Sequence, residues 1–272
     1  MKLMKTKKLS RKDVKIDNLH NKMKYNIMNF TKGLLVPFIE RRDWKMPAFV
    51  IGGKSWQYNE FYNIVEQILY LIKDIDEKEV FLYATDDVRT YASILALWLS
   101  GKAYVPLNPN QPTDRHRETI ISVGTHFVLS SDLNYRCDIE DITIINTSSV
   151  SNEGYIRKNN MLIADVDDQE LAYILFTAGS TGKPKGVPIT RGDLAAFIDS
   201  MNHIGLDITS DDKCLQPFDL TFDFSVSSYL IPLVKGACIY TIPNKAVKFT
   251  FIAELLDEHH LTVLQMVPSM ID

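Results

Sequence analysis

The chain has 272 residues, of which 46% are hydrophobic, 24% charged and 10% aromatic, with 12 glycines and 11 prolines. That composition excludes disorder, collagen-like repetition and low complexity, and it supplies enough apolar material for one sizeable core or two smaller ones. The net charge is −4, but residues 1–16 hold seven Lys/Arg against one Asp, which leaves an acidic body behind a basic tail.

An acidic body argues against a nucleic-acid-binding surface, and the tail has no apolar stretch of the kind a secretory signal needs. Apolar runs such as 94–99 and 229–234 fall far short of the roughly 20 residues that span a bilayer, so neither a nucleic acid nor a membrane is expected as partner. Cys137, Cys214 and Cys238 are odd in number and widely spaced, which predicts free thiols in a reducing, cytoplasmic compartment. No CxxC or HExxH occurs and the six histidines are scattered; no metal ligand is assigned.

In chain order, residues 1–24 read as a solvated basic tail. Residues 48–51 and 55–58 read as a hairpin turned by Gly52-Gly53, since two glycines adopt positive φ cheaply. Phe61, Ile64, Val65, Ile68 and Leu69 make one face of a following helix, and 80–84 is a short apolar strand of the doubly buried kind. Val88, Tyr91, Ile94, Leu95, Trp98 and Leu99 predict the next helix, stopped by Gly101. A strand at 103–105, a proline-punctuated loop, a helix at 113–123, and strands at 127–130 and 142–145 continue the alternation.

Such βα repetition predicts an α/β fold of mostly parallel sheets flanked by helices, because parallel strands require crossover connections. A polar stretch at 146–160 sets an expected boundary between a first α/β unit, 25–160, and a second, 161–272. The second opens with a strand at 171–176 and ends with one at 263–267.

The most informative segment is 171–190, LAYILFTAGSTGKPKGVPIT, an apolar strand, a Gly/Ser/Thr/Lys-rich loop and then a helix. Gly179, Gly182 and Gly186 let backbone N–H groups turn toward a ligand, Thr177, Ser180 and Thr181 add hydroxyls, and Lys183 and Lys185 add positive charge. A polyphosphate is the natural guest. A Walker A loop fails at both ends, because Thr177 and Pro184 stand where that motif needs Gly and Ser/Thr, and no GxGxxG is in register. The helix behind is signalled by Thr190 as N-cap, Asp193 three residues on, and Leu194, Phe197, Ile198 and Met201 on one face.

Residues 177–186 resemble the phosphate loop of the adenylate-forming synthetases and ligases, roughly TSGSTGxPKG, with Ala178 as the one departure. Residues 97–115, LWLSGKAYVPLNPNQPTDR, look like the helix-Gly-strand-Pro signature of its amino-acid-activating, carrier-protein-linked branch. Residues 218–225, FDLTFDFS, resemble the segment in which an Asp, here Asp223, holds the α-ammonium of the amino acid; 261–270, LTVLQMVPSM, resembles a later strand and turn. Asp223 on a mostly apolar helix is expected at the floor of a poorly solvated pocket, whereas Asp219 reads as a turn residue.

The resemblance covers 46–272, about half of a usual member, and implies the N-terminal portion of an enzyme similar to non-ribosomal peptide synthetase adenylation domains and D-alanine:carrier-protein ligases. It implies ATP and Mg²⁺ as cofactors, and an amino acid and a phosphopantetheinylated carrier protein as partners. Thr177, Gly179, Ser180, Thr181, Gly182, Lys185 and Gly186 would hold the phosphates; Asp223, Phe224 and Ser227 would meet the substrate. The family's YGPTE and TGD segments and its catalytic lysine have no match here and are expected in a missing C-terminal half. Two alternatives stay open: an acyl- or aryl-acid:coenzyme A ligase of the same superfamily, or a non-catalytic nucleotide-binding fragment.

Overall fold

The structure is a computed structural model that describes residues 29–157, 163–178, 184–203, 205, 207–242 and 248–270. A short helical stretch, Thr31–Leu35 leading into α1 (Val36–Glu40), precedes the hairpin of β1 (Pro47–Ile51) and β2 (Lys54–Gln57). Its turn residues, Gly52 and Gly53, have φ of 57° and 78°, the left-handed pair that only glycine adopts without strain. Helix α2 (Tyr58–Leu71), β3 (Glu79–Tyr83), α3 (Val88–Leu99), β4 (Ala103–Leu107), α4 (Thr113–Val123), β5 (Phe127–Ser130) and β6 (Thr143–Asn146) follow. After them come β7 (Leu171–Ala178), β8 (Pro184–Thr190), α5 (Arg191–His203), β9 (Lys213–Gln216), α6 (Phe224–Lys235), β10 (Cys238–Thr241) and α7 (Lys248–His259).

Two sheets form, ordered β2-β1-β10-β9 and β6-β5-β3-β4-β7-β8. All neighbouring strands run parallel except at the two hairpins, β1/β2 and β7/β8. The expected break near residue 160 does not coincide with a division between sheets, because each draws strands from both sides of it. The four-stranded sheet joins β1 to β9 and β10, and the six-stranded sheet joins β4 to β7. A parallel strand pairs where its crossover delivers it, and sequence separation does not restrict that choice.

Helix α3 buries every residue except Arg89, as expected of a helix apolar on all sides and enclosed between layers. It meets β1 through Phe49 and Tyr91, with ring centroids 4.8 Å apart, and β4 through Trp98 and Tyr104 at 5.8 Å. Tyr229 of α6 completes the joint, 5.6 Å from Tyr91, and the Trp98 indole N–H donates to Ala172 O at 2.8 Å. One core therefore spans both sheets.

Two sequence expectations are corrected. Residues 184–190, expected as loop and helix approach, form β8, paired antiparallel to β7. The strand expected at 263–267 reduces to a single bridge, Val263 to Cys214, followed by a 3₁₀ turn at Pro268–Met270; no further strand lies beside it among the described residues to extend the ladder.

Candidate functional site: the hairpin mouth and the α6 N-terminus

β7 is an apolar strand that adjoins β4 in the six-stranded sheet, and β8 returns along its other side as the sheet's edge. Thr177 and Lys185 are directly paired across this hairpin, both exposed, with the Thr177 hydroxyl donating to Lys185 O at 3.4 Å. Gly179, Ser180, Thr181, Gly182 and Lys183 lie outside the described residues. An exposed hydroxyl and an exposed ammonium at the root of a loop of that composition match an anionic guest.

Gly186 has a second reason to be glycine. It pairs with Phe176, and a Cβ there would stand 3.0 Å from the Phe176 ring and 3.2 Å from Ile174. The aromatic ring lies over the bare backbone of its cross-strand partner. The strand leads directly into α5, whose first turn is locked by a capping box. The Asp193 carboxylate accepts from the Thr190 N–H and hydroxyl, and the Thr190 Oγ1 accepts from the Asp193 N–H. These bonds hold the Asp193 carboxyl below its ordinary range.

The second component is the segment before α6. Asp219 acts as a turn residue: one carboxylate oxygen accepts from the N–H and hydroxyl of Thr221, and the other accepts from the Asn108 amide at 2.6 Å. That clasp ties 218–223 to the loop after β4. Phe218, Phe222 and Phe224 gather there with ring centroids 5.7 to 5.9 Å apart.

Asp223 departs from its expected surroundings. It is exposed rather than sunk in an apolar floor, and it stands at the N-cap of α6, accepting from the Phe224 N–H at 2.9 Å. The physical reason is the helix's orientation. Val226, Tyr229, Leu230 and Leu233 carry the buried face into the core, which leaves the first turn, with Phe222 and Phe224 about 45% exposed, at the rim.

Hairpin and helix share one cavity of about 580 Å³, walled by Thr177, Val187, Phe197, Phe222, Asp223 and Phe224 among others. Tyr173 also lines it; burial pushes its hydroxyl up to about 12, and the Asp223 and Asp193 carboxylates add to the shift. Ser227 separates from the other two candidate substrate residues. It is buried on a different cavity of about 150 Å³, where its hydroxyl accepts from Gln265 at 2.6 Å. Tyr173 and Gln265 were not singled out by the sequence, since one reads as an ordinary strand residue and the other as part of a strand. Among the described residues no group of three or more His, Cys, Asp or Glu could hold a metal ion.

A family model described as AMP-binding enzyme matches residues 39–272. The chain is 28% identical over 228 residues to the delta-poly-L-ornithine synthetase of Acinetobacter baumannii, covering 82% of this chain and 17% of that one. It is 29% identical over 250 residues to the L-proline–[L-prolyl-carrier protein] ligase of Streptomyces coelicolor, covering 83% and 46% respectively. The chain thus spans less than half of either relative. In fold it is similar to the Vibrio cholerae adenylation domain AlmE in complex with glycyl-adenosine-5′-phosphate, with TM-score 0.70 and 24% identity, over 90% of this chain and 50% of that one.

Proposed function

The chain belongs to the AMP-binding enzyme family, and on that premise we propose that it is the phosphate- and amine-binding part of an enzyme that activates an amino acid as its adenylate. The substrate carboxylate oxygen attacks the α-phosphorus of ATP; the bond to the β-phosphate oxygen breaks and pyrophosphate leaves. A carrier protein's phosphopantetheine thiol later attacks the acyl carbon and releases AMP. One observation carries the reading: Thr177, from the hairpin that bears the phosphate loop, and Asp223, the one anion in the FDLTFDFS rim that lines the cavity, stand on the same 580 Å³ space.

In this reading Thr177, Gly179, Ser180, Thr181, Gly182, Lys185 and Gly186 hold the β- and γ-phosphates, and Lys185 stabilises the charge that shifts toward the departing pyrophosphate. Asp223 accepts the α-ammonium and Phe224 faces the rest of the substrate from the same cavity, whereas Ser227, expected from the sequence to meet the substrate, lines the separate smaller cavity. Mg²⁺ would accompany the phosphates, with no described side chain assigned to it. The names of the prolyl-carrier ligase and of the glycyl-adenylate complex support an amino acid as substrate and, for the former, a carrier protein as partner. The aligned relatives extend well beyond this region, so the catalytic lysine is sought outside these 272 residues. Three free cysteines fit a cytoplasmic setting, and among the described residues no helix is long and apolar enough to cross a membrane.

The test is ATP–pyrophosphate exchange by the full-length protein, with amino acids set against their des-amino counterparts. Exchange that depends on the α-amine supports the reading. Exchange with the des-amino acids alone, followed by thioester formation on coenzyme A, replaces it with the acyl-acid ligase.

A further inference from the structure

The turn that brings Asp223 to the cavity is held from outside it. Thr221, Phe222, Asp223 and Phe224 line the 580 Å³ space, whereas Asn108 and Asp219 are not among its described lining residues. Asp219 Oδ1 accepts from the Thr221 N–H at 2.9 Å and from its hydroxyl at 2.7 Å, and Asp219 O accepts from the Phe222 N–H at 2.9 Å. These bonds shape the turn but do not fix where it lies. Among the described residues, the hydrogen bonds that tie 219–223 to a distant part of the chain come from the Asn108 amide, at 2.6 Å to Asp219 Oδ2 and 3.5 Å to Thr221 Oγ1.

Asn108 is itself fixed. Its Oδ1 accepts from the Asn110 N–H at 2.8 Å, which turns Nδ2 toward Asp219, and its carbonyl oxygen accepts from Nε2–H of the buried His116 of α4 at 2.7 Å. On the other side, Gln216 at the end of β9 closes two bonds on Phe218: Oε1 accepts from the Phe218 N–H at 3.1 Å and Nε2 donates to Phe218 O at 2.9 Å. The segment is thus anchored to the four-stranded sheet at Phe218 and, through the loop after β4, to the six-stranded sheet at Asp219.

We infer that Asn108 and Asp219 are positioning residues for the amine acceptor: their side-chain pair sets where the Asp223 carboxylate stands on the cavity, and so sets the affinity for the amino acid. The inference rests on the amino-acid-activation reading above. Asp223 is exposed, and its carboxylate bonds to the N–H of the next residue, so its position follows the backbone of the turn. A charge-assisted bond to an ammonium weakens steeply once distance and angle leave their optimum. Thr177 and Lys185 stand on the β7/β8 hairpin, away from this turn in the chain, so ATP should not feel its displacement.

The pair is directional, with an amide donor facing a carboxylate acceptor. Asn108→Asp sets two carboxylates against each other, which repel. Asp219→Asn keeps an oxygen for Thr221 but sets two amide donors against each other. The double exchange N108D/D219N reverses donor and acceptor and keeps every partner: the amide oxygen at 219 receives Thr221, its NH2 faces the carboxylate at 108, and that carboxylate's other oxygen receives the Asn110 N–H.

The experiment is pyrophosphate exchange by the full-length protein, with KM for the amino acid and for ATP measured separately and Tm recorded on the same samples. Each single exchange should raise the amino-acid KM about tenfold to a hundredfold while kcat and the ATP KM stay within about twofold. The double exchange should return the amino-acid KM to within about threefold of wild type. An unchanged amino-acid KM in both single variants overturns the inference, as does damage that the double exchange does not repair. A merely structural pair would lower Tm and kcat at constant KM, which also overturns it. Should Asn108→Asp fail to fold, Asp219→Asn and the double exchange carry the same test. Wild-type exchange with des-amino acids alone sinks the amino-acid reading itself; exchange with amino acids whose KM ignores these substitutions sinks only this inference.

Discussion

Lys185 sits in an exposed position on β8 opposite Thr177, where replacing it should change stability by no more than about 0.5 kcal/mol. Any large effect of Lys185→Ala must therefore come from the ligand. If its ammonium acts on the phosphates as pyrophosphate departs, exchange by the full-length protein should lose about 10²-fold in kcat with little change in the KM for the amino acid. Unchanged kcat would remove Lys185 from the chemistry. Asp223 poses a different question, because its exposed carboxylate already serves the Phe224 N–H. As an amine acceptor at a rim, rather than in a dry pocket, it should contribute about 1.5–3 kcal/mol through a charge-assisted bond, so Asp223→Ala should lower kcat/KM by about one to two decades. As a helix cap alone it would cost about 0.5–2 kcal/mol of stability and leave kinetics near normal. Thermal unfolding and exchange measured on the same Asp223→Ala protein separate the two roles.

At the scale of elements, the start of α5 was fully legible: Thr190 and Asp193 at N-cap and N3 form the reciprocal box that the spacing predicts. The Asp193 carboxyl is held below its ordinary range by the Thr190 hydroxyl and N–H. A depressed native value means that its stabilisation is present above the unfolded-state pKa and is lost as pH falls through the native one. Asp193→Asn should accordingly cost about 1 kcal/mol at neutral pH, with the difference in Tm from wild type shrinking below about pH 4; a pH-independent difference would assign the cost to packing. Strand β8 was not legible. Val187 and Ile189 do alternate with Gly186 and Pro188, but prolines at 184 and 188 argue against a strand, and they are tolerated here because β8 is the edge of its sheet. The same strand places Val187 on the cavity that Phe222 and Phe224 also line, so a reading without β8 does not show the cavity. Periodicity predicts a buried Asp223 because it reports which face of α6 is apolar; it does not report where the helix begins relative to the core surface.

The whole molecule is two sheets knitted through one core, and the strand order that does this is the part local pattern reveals least. Short apolar runs announce parallel strands but carry no label for their partner, so the pairings of β4 with β7 and β1 with β10 were out of reach while the βα alternation was plain. One side chain tests the seam between the sheets. Asp86, in the loop from β3 to α3, accepts from the Thr241 hydroxyl at 3.0 Å, at the end of β10 in the other sheet. Burial pushes its carboxyl up to about 6; the Asp87 carboxylate adds to the shift and the Thr241 bond opposes it. A native value above the unfolded one means that the folded state holds the proton more tightly, so this group's stabilisation is complete below about pH 4 and is lost as pH rises through about 6. The loss is bounded at about 3 kcal/mol, from roughly two pKa units at 1.36 kcal/mol each. Asp86→Asn keeps an acceptor for Thr241 and removes the charge, so its Tm should exceed wild type at pH 8 and converge on it toward pH 4. A gap that stays constant across that range would show that the seam tolerates the carboxylate, and that Thr241 and its surroundings solvate it better than its burial implies.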